Sequence, residues 1–325
     1  MNSKLSNELK AEALRLGFFA CGIARAEAVD DINTEHVRQW LDNGNQAGMD
    51  YMSNHTDKRL DPRLLMEKVK SIVCVAMNYA PALHISENEW QIATYAYGED
   101  YHNILKAKLR LLAQHIGCKE IGVQDRIDQS DTDTHFRVFC DSAPVLERYW
   151  AAKAGLGWIG RNHQLIIPKA GSMFFLGELF LDIELDYDTP MRNRCGTCRA
   201  CIEACPTQAI TMNAPLNANK CLSYQTIENK GPIREDFASK MGNTIYGCDR
   251  CQQTCPWNRF AQPNDTPELQ PKPALLEMTR EKWMQLSEDD YRQIFKNSAV
   301  KRAKYDGLMR NIRAISLLSE PKKHE

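Results

Sequence analysis

No run of about 18 apolar residues occurs in the 325-residue chain, so no segment reads as a membrane-spanning helix. The opening stretch, MNSKLSNELKAEALRLGF, is charged and amphipathic and lacks the apolar core of a signal peptide. The sequence therefore reads as a cytoplasmic protein with no membrane contact. Net charge is almost absent, −1 from 41 Lys and Arg against 42 Asp and Glu. There is no internal repeat apart from paired cysteine runs. The glycine-rich stretch GLGWIGRNHQLI (155–166) lacks the Lys-Ser/Thr ending of a phosphate loop. What is present, 43% hydrophobic and 26% charged residues, suits a globular chain of about two domains.

The near-neutral total hides an uneven spread. Residues 1–190 hold 20 basic against 27 acidic side chains, and residues 191–325 hold 21 against 15. Between Arg292 and Arg313 lie seven basic residues and one acid, Asp306. Such a run is often a solvated face, but an acidic front with a basic back also suits a polyanionic partner on one side.

Periodicity gives a coarse organisation. Lys4–Leu16 reads as a helix and Phe18–Ile23 as a short strand. SIVCVAMNY (71–79) has the β-branched run of a buried strand. YHNILKAKLRLLAQHIG places Ile104, Leu105, Leu109, Leu112 and Ile116 on one helical face and stops at Gly117. HFRVFC (135–140) alternates like a half-buried strand. APVLERYWAAKAG reads as a helix with Pro144 in its first turn and Gly155 as its stop. HQLIIP and SMFFLGELFLDIEL follow as strands. Helices and strands alternate, so residues 1–190 are expected to form an α/β (α+β) domain. A small metal-organised module follows over 191–260. Residues 261–325 supply a proline-rich connector, Ala261–Pro273, and a basic helical tail.

Twelve cysteines in a reducing compartment are not expected to pair as disulfides. Cys21, Cys74, Cys118 and Cys140 are scattered, and the first three sit in apolar or helical contexts where cysteine acts as a small hydrophobe. The other eight lie within 195–255. Cys195, Cys198, Cys201 and Cys205-Pro206 form the C-x₂-C-x₂-C-x₃-C-P run of bacterial 4Fe-4S proteins, whose fourth cysteine serves the other cluster. Cys248, Cys251 and Cys255-Pro256 repeat it one cysteine short, and Cys221 is the natural replacement. The crossed rule predicts one 4Fe-4S cluster on Cys195, Cys198, Cys201 and Cys255. It predicts a second on Cys205, Cys221, Cys248 and Cys251. Structural zinc also uses Cys-x-x-Cys pairs, but two C-P endings and eight cysteines favour the cubanes. Two clusters relay single electrons.

The domain that receives those electrons should carry a redox site. In FCDSAPVLERYW, Asp141 falls where a strand ends and a helix begins, a common place for catalytic groups. Helix capping by Asp141 or Ser142 is the competing reading. Glu147, on the following helix, is expected to pair with a base. His163 reads as a hydrogen-bonded histidine rather than an assigned metal ligand. The glycines of 155–160 would allow a tight turn or close approach to a flat cofactor.

The segments YAYGEDYH, CDSAPVLERYWAAKAGLGWIGRNHQLI, GSMFFLGEL, CGTCRACIEACPTQAI, CLSYQTIENKG and GCDRCQQTCPWN, in this order across residues 1–315, together resemble the epoxyqueuosine reductase family. The resemblance implies reduction of epoxyqueuosine to queuosine at the wobble position of tRNA. It further implies a cobalamin cofactor, two 4Fe-4S clusters, kinship in architecture with corrinoid reductive dehalogenases, and Asp141 as the proton donor. A low carboxyl basicity would defeat that role, so Asp141 is expected to have a raised pKa. The expected corrin wall is Tyr101, His102, Gly157, Ser223 and Asp249. Longer family members continue into a HEAT-like helical domain, and this chain, ending at Glu325, reads as a short form. The implied partners are the anticodon arm of tRNA, met by phosphate contacts from the basic tail, and an external low-potential electron donor. The chain is expected to be a monomer. A reductive dehalogenase acting on a small molecule would leave the basic tail idle, and a plain electron carrier would not need about 190 residues ahead of its clusters.

Overall fold

The computed structural model describes residues 2–319 apart from 123, 124, 126, 129 and 213. Its strands are β1 (Ala20–Arg25), β2 (Ser71–Asn78), β3 (Gln91–Ile92), β4 (Lys119–Glu120), β5 (His135–Phe139), β6 (Trp158–Ile159), β7 (Leu165–Ile166), β8 (Phe174–Leu181) and β9 (Thr244–Tyr246). The helices that matter below are α1 (Ser3–Arg15), α2 (Tyr101–His115), α3 (Glu147–Lys153), α4 (Leu222–Ile227), α5 (Glu235–Met241) and α6 (Lys304–Ser319).

Strand β2 explains the first half. Seven of its eight residues are buried, which a strand achieves only when both faces of its sheet are covered. Successive side chains point to opposite faces. Val73, Val75 and Met77 therefore meet α1 and α2 through Leu9, Leu105, Leu109 and Leu112. Ile72, Cys74 and Ala76 meet α3 through Tyr149, Trp150 and Ala151. The sheet runs β1-β2-β8-β5-β4, antiparallel except for the β4–β5 edge. The architecture is thus mixed α/β, of the α+β kind. Gly22 in β1 is required by packing, since a Cβ there would lie 2.1 Å from the Ala154 carbonyl.

One expectation changes. Helix α3 begins at Glu147, so Pro144 lies before the helix and not in its first turn. The proline-rich connector is docked on the first domain. Asn264 is buried and donates to the Ala80 carbonyl through both its backbone N–H (2.8 Å) and its side-chain amide (2.9 Å).

A third core crosses the chain from end to end. Trp90, Ile92 and Tyr97 pack with Leu222, Met241 and Tyr246 and with the tail residues Trp283, Phe295, Leu308 and Ile312. Strand β3 pairs in parallel with β9. Asn311 pins this core. It is fully buried, and its amide donates to the carbonyls of Thr226 and Ile245, both at 2.8 Å. Replacing Asn311 by Ala strands both carbonyls in an apolar core, at a cost on the order of 1–3 kcal/mol each. Chemical denaturation of the holo-protein should show a matching loss of stability; a change below about 0.5 kcal/mol, the ordinary surface range, would refute the pinning role. No helix among the described residues is long and apolar enough to cross a membrane.

Candidate active site

Beyond β5, the chain turns sharply. Asp141 adopts φ 57°, a left-handed conformation that aspartate tolerates better than most residues. That turn presents its carboxylate to the first turn of α2. Tyr101 donates its hydroxyl to Asp141 Oδ2 at 2.8 Å, and His102 Nε2 lies 3.1 Å from the same oxygen. The other ring nitrogen, Nδ1, lies 2.5 Å from Asp100 Oδ1, and Asp100 also caps α2 by accepting from the His102 backbone N–H. Tyr101 is stacked between Phe175 and His102, with ring centroids 4.1 Å away on each side. The assembly leaves the Asp141 side chain 59% exposed.

The electrostatics follow from this pairing. Burial opposes a charge on His102, but hydrogen bonds to Asp100 and Asp141 outweigh it and raise its pKa to about 9. The reciprocal bond from His102 lowers the Asp141 pKa against the opposing effect of burial. The raised carboxyl pKa expected for Asp141 is therefore not found; the dissociable proton resides on His102. Capping by Asp141 is also excluded, because the N-cap of α3 is Leu146 and no side chain caps it.

Glu147 does not pair with a base as expected. Its carboxyl accepts the backbone N–H of Asp141 and so braces the turn. It faces Glu178 of β8, fully buried, whose two oxygens have no hydrogen-bond donor. Burial, then the charge of Asp141, pushes Glu147 up to about 8, and burial and Glu147 push Glu178 well above the usual carboxylate range. Two acceptor-only carboxylates cannot bond; one shared proton makes them a bonded pair. Arg148 is exposed beside them and donates to the His163 carbonyl at 2.5 Å. Burial, reinforced by Arg148, drops the His163 pKa to about 4, so its ring stays neutral.

The eight clustered cysteines converge in two groups. Cys195, Cys198, Cys201 and Cys255 line one cavity of about 460 Å³, together with Asn162, whose buried side-chain nitrogen has no partner. Burial first, then the sulfurs of Cys255, Cys195 and Cys198, raises the Cys201 thiol. In the other group burial leads again, and Cys251 responds to Cys248 and Cys221, while Cys221 responds to Cys205. Four thiols around a space far larger than one ion, with an unpartnered N–H donor on its wall, fit a cubane with its sulfides. Residues between the ligands bolt the module to the sheet. Buried Gln252 donates to Tyr79 Oη (3.0 Å) and to the Ser172 carbonyl (2.9 Å), and Arg161 donates to the carbonyls of Cys198 and Gly196.

Of the five expected corrin-wall residues, Tyr101 and His102 stand at Asp141. Ser223 is half-buried in the first turn of α4, shortly after Cys221. Gly157 belongs to the β6–β7 hairpin, where a Cβ would lie 2.1 Å from the Ile166 carbonyl, so its own strand partner accounts for the glycine. Asp249, between two cluster cysteines, accepts the Thr94 backbone N–H at 2.7 Å and so anchors the module. Tyr95, which sequence reasoning passed over, links the two regions. It meets Tyr101 edge to face and bonds Tyr246 Oη at 3.0 Å. The basic tail is partly spent. Arg302 is held by Glu228 (2.7 Å) and lies over Tyr51, Arg310 donates to the carbonyls of Gln225, Asn229 and Gly231, and Arg292 pairs with Glu288. Lys301 and Lys304 are exposed.

Comparison with known proteins gives the family and the fold. A family model for a 4Fe-4S double cluster binding domain matches residues 194–258, and one for epoxyqueuosine reductase QueG matches residues 59–142. A curated epoxyqueuosine reductase of Cellulophaga algicola is 45% identical over 309 residues, spanning 95% of this chain and 97% of the relative. A crystal structure of an epoxyqueuosine reductase with an epoxyqueuosine-modified tRNA stem loop superposes with TM-score 0.84 at 28% identity, over 96% of this chain and 80% of that one. A Bacillus subtilis epoxyqueuosine reductase superposes with TM-score 0.83 at 26% identity, over 96% and 81%; it was solved with an aspartate catalytic loop swung out of its active site.

Proposed function

The chain belongs to the epoxyqueuosine reductase family, and we propose that an Asp141–His102 pair supplies its proton while two cysteine-held clusters supply its electrons. It is an oxidoreductase that reduces epoxyqueuosine to queuosine in tRNA. Loss of the epoxide oxygen as water consumes two electrons and two protons. The observation that carries the proton role is the exposed Asp141 oxygen shared by Tyr101 and His102. With His102 protonated, a substrate oxygen placed at Asp141 draws a proton through the carboxyl as negative charge develops on it. Tyr101 holds the carboxyl in line, and the Glu147 brace keeps the strained turn from relaxing.

Cobalamin, when bound, supplies a metal that gathers single electrons for a two-electron reduction. Both faces of Tyr101 are covered, by buried Phe175 and by His102, so the stack would offer a macrocycle the half-buried His102 ring and the edge of Tyr101. Tyr101 and His102 would form one wall and Ser223 the cluster side. Gly157 and Asp249 would stand behind that wall, the first shaping the hairpin and the second fixing the module. The cluster ligands are the two crossed sets, Cys195, Cys198, Cys201 and Cys255, then Cys205, Cys221, Cys248 and Cys251.

The deciding experiment is mass spectrometry of tRNA nucleosides after incubation with enzyme loaded with iron, sulfide and cobalamin and given a low-potential reductant. Epoxyqueuosine should be replaced by a nucleoside one oxygen lighter; no conversion by fully loaded enzyme would refute the reading.

Lys301 and Lys304 are proposed to neutralise tRNA phosphates. Changing both to Glu should weaken binding and lower the salt slope by about 0.7–0.9 for each phosphate left without its lysine. Arg302 is left out because Glu228 already neutralises it. An unchanged slope in a titration against a tRNA stem loop would mark the tail as a solvated face.

A further inference from the structure

We infer that the mouth of the first cysteine cavity is the docking site of a small acidic one-electron carrier protein, which delivers the electrons this enzyme consumes. This rests on the reading that Cys195, Cys198, Cys201 and Cys255 hold a cluster.

The cavity is ringed by charge of one sign. Arg161, Lys169, Arg194 and Arg259 line it, and no acid does. Lys169, Arg194 and Arg259 are exposed, and none of the three forms an ion pair with a described acid. The chain as a whole is nearly neutral, so this positive field is local and steers an anionic surface to one spot. Within the ring, half-buried Trp257 and Phe260 give an apolar centre. An apolar centre inside a charged rim is the plan of a protein interface, and redox partners use small versions of it. An RNA site instead spreads cations along a phosphate track.

The position also separates donor from substrate. The second cysteine group is tied to the Tyr101 hydroxyl and Asp141 by packed and hydrogen-bonded groups. Asp249, between Cys248 and Cys251, holds the Thr94 N–H, and the next residue, Tyr95, packs on Tyr101, which bonds Asp141. The first group meets the second where the helical turns Ala200–Glu203 and Arg250–Gln253, which carry Cys201 and Cys251, pack together. The ringed cavity shares no lining residue with Tyr101, His102 and Asp141, so a carrier seated on it leaves that cleft to tRNA. Each encounter moves one electron: the reduced carrier is oxidised by one and the first cluster is reduced by one. Two encounters supply the pair used to expel the epoxide oxygen as water, together with two protons.

The test uses holo-enzyme and reduced plant-type [2Fe–2S] ferredoxin, an acidic protein, as probe. In Lys169→Glu/Arg194→Glu/Arg259→Glu, the rate of cluster reduction by ferredoxin should fall at least about tenfold at low salt, and the difference should shrink at about 0.5 M salt. Calorimetric binding of oxidised ferredoxin should disappear in parallel. Reduction by methyl viologen radical, a small cation, should not slow. Iron content and cluster spectra report separately on the cluster reading; if the triple variant loses iron, Lys169→Gln and Arg194→Gln replace it and should slow ferredoxin alone. Ferredoxin rates unchanged in iron-replete variants would overturn the inference. So would a loss of tRNA stem-loop affinity with ferredoxin binding intact, which would make the ring an RNA surface.

Discussion

Replacing Asp141 by Asn is expected to slow epoxide reduction by about 10²–10⁴-fold, the usual worth of a positioned general acid. Asparagine keeps the size and an oxygen for the Tyr101 hydroxyl, and it tolerates the left-handed turn that Asp141 occupies at φ 57°. It cannot pass a proton on. Because α3 is not capped by Asp141, the loss of folding stability should be confined to the His102 charge pair, and the cluster spectra should be untouched. The pH profile adds a sign. The folded-state pKa of His102 is raised from 6.5 to about 9 by Asp100 and Asp141. Its charge, and the stability that charge contributes, is therefore complete below about 6.5 and is lost as pH rises through about 9. Wild-type turnover should decline over that alkaline limb. In Asp141→Asn, which removes one of the two raising partners, the residual limb should move to lower pH. Near wild-type turnover by the variant would show that the proton comes from water or another side chain.

Loss of a single cysteine should abolish turnover while sparing one cluster, and the crossed sets say which. Cys221→Ala and Cys205→Ala should each lower iron from about eight to about four atoms per chain and leave the same cluster spectrum, although Cys205 belongs to the first run. Cys255→Ala should leave the other spectrum, although Cys255 belongs to the second run. The grouping of Cys195, Cys198, Cys201 and Cys255 around one cavity supports that exchange. Turnover should vanish in all three variants because a relay with one stage missing passes no electrons. Four irons in the wild type with stoichiometric zinc, or spectra that sort by run instead of by set, would defeat the assignment.

Much of this was readable from residue order because it depends on local rules. The buried run of β2, the face of α2 and the stop at Gly155 follow from periodicity and backbone freedom, and the cysteine runs from the sulfur count of a cubane. The misses depend on partners distant in sequence. Nothing in DSAPVLERYW reveals that Glu147 braces the Asp141 backbone, nor that Glu178, in an otherwise apolar strand, waits opposite it. An acid amid FFLGELFL was a visible signal, since a buried carboxyl in a strand core is expensive without a function or a proton. The expected high pKa of Asp141 failed for a similar reason: a histidine 39 residues away in sequence carries the proton instead. The tail looked more available than it is, because the partners of Arg302 and Arg310 lie in the second half of α4 and the turn after it, out of reach of any local pattern.

The core shared by residues 85–97, β9 and α6 sets the order of events at the ribosome. Trp90, Ile92 and Tyr97 leave the exit tunnel early, yet the side chains that cover them lie as far on as Leu308 and Ile312. Those apolar groups stay wet, and α5 and β9 lack their far wall, until the chain has been made as far as about Ile312. Iron–sulfur assembly proposed for Cys221, Cys248 and Cys251, which stand beside that core, should then follow the docking of α6. For the same reason residues 191–260 are not a portable cassette: cut out and grafted elsewhere, they would leave behind β3 and α6, and with them most of what keeps their interior dry.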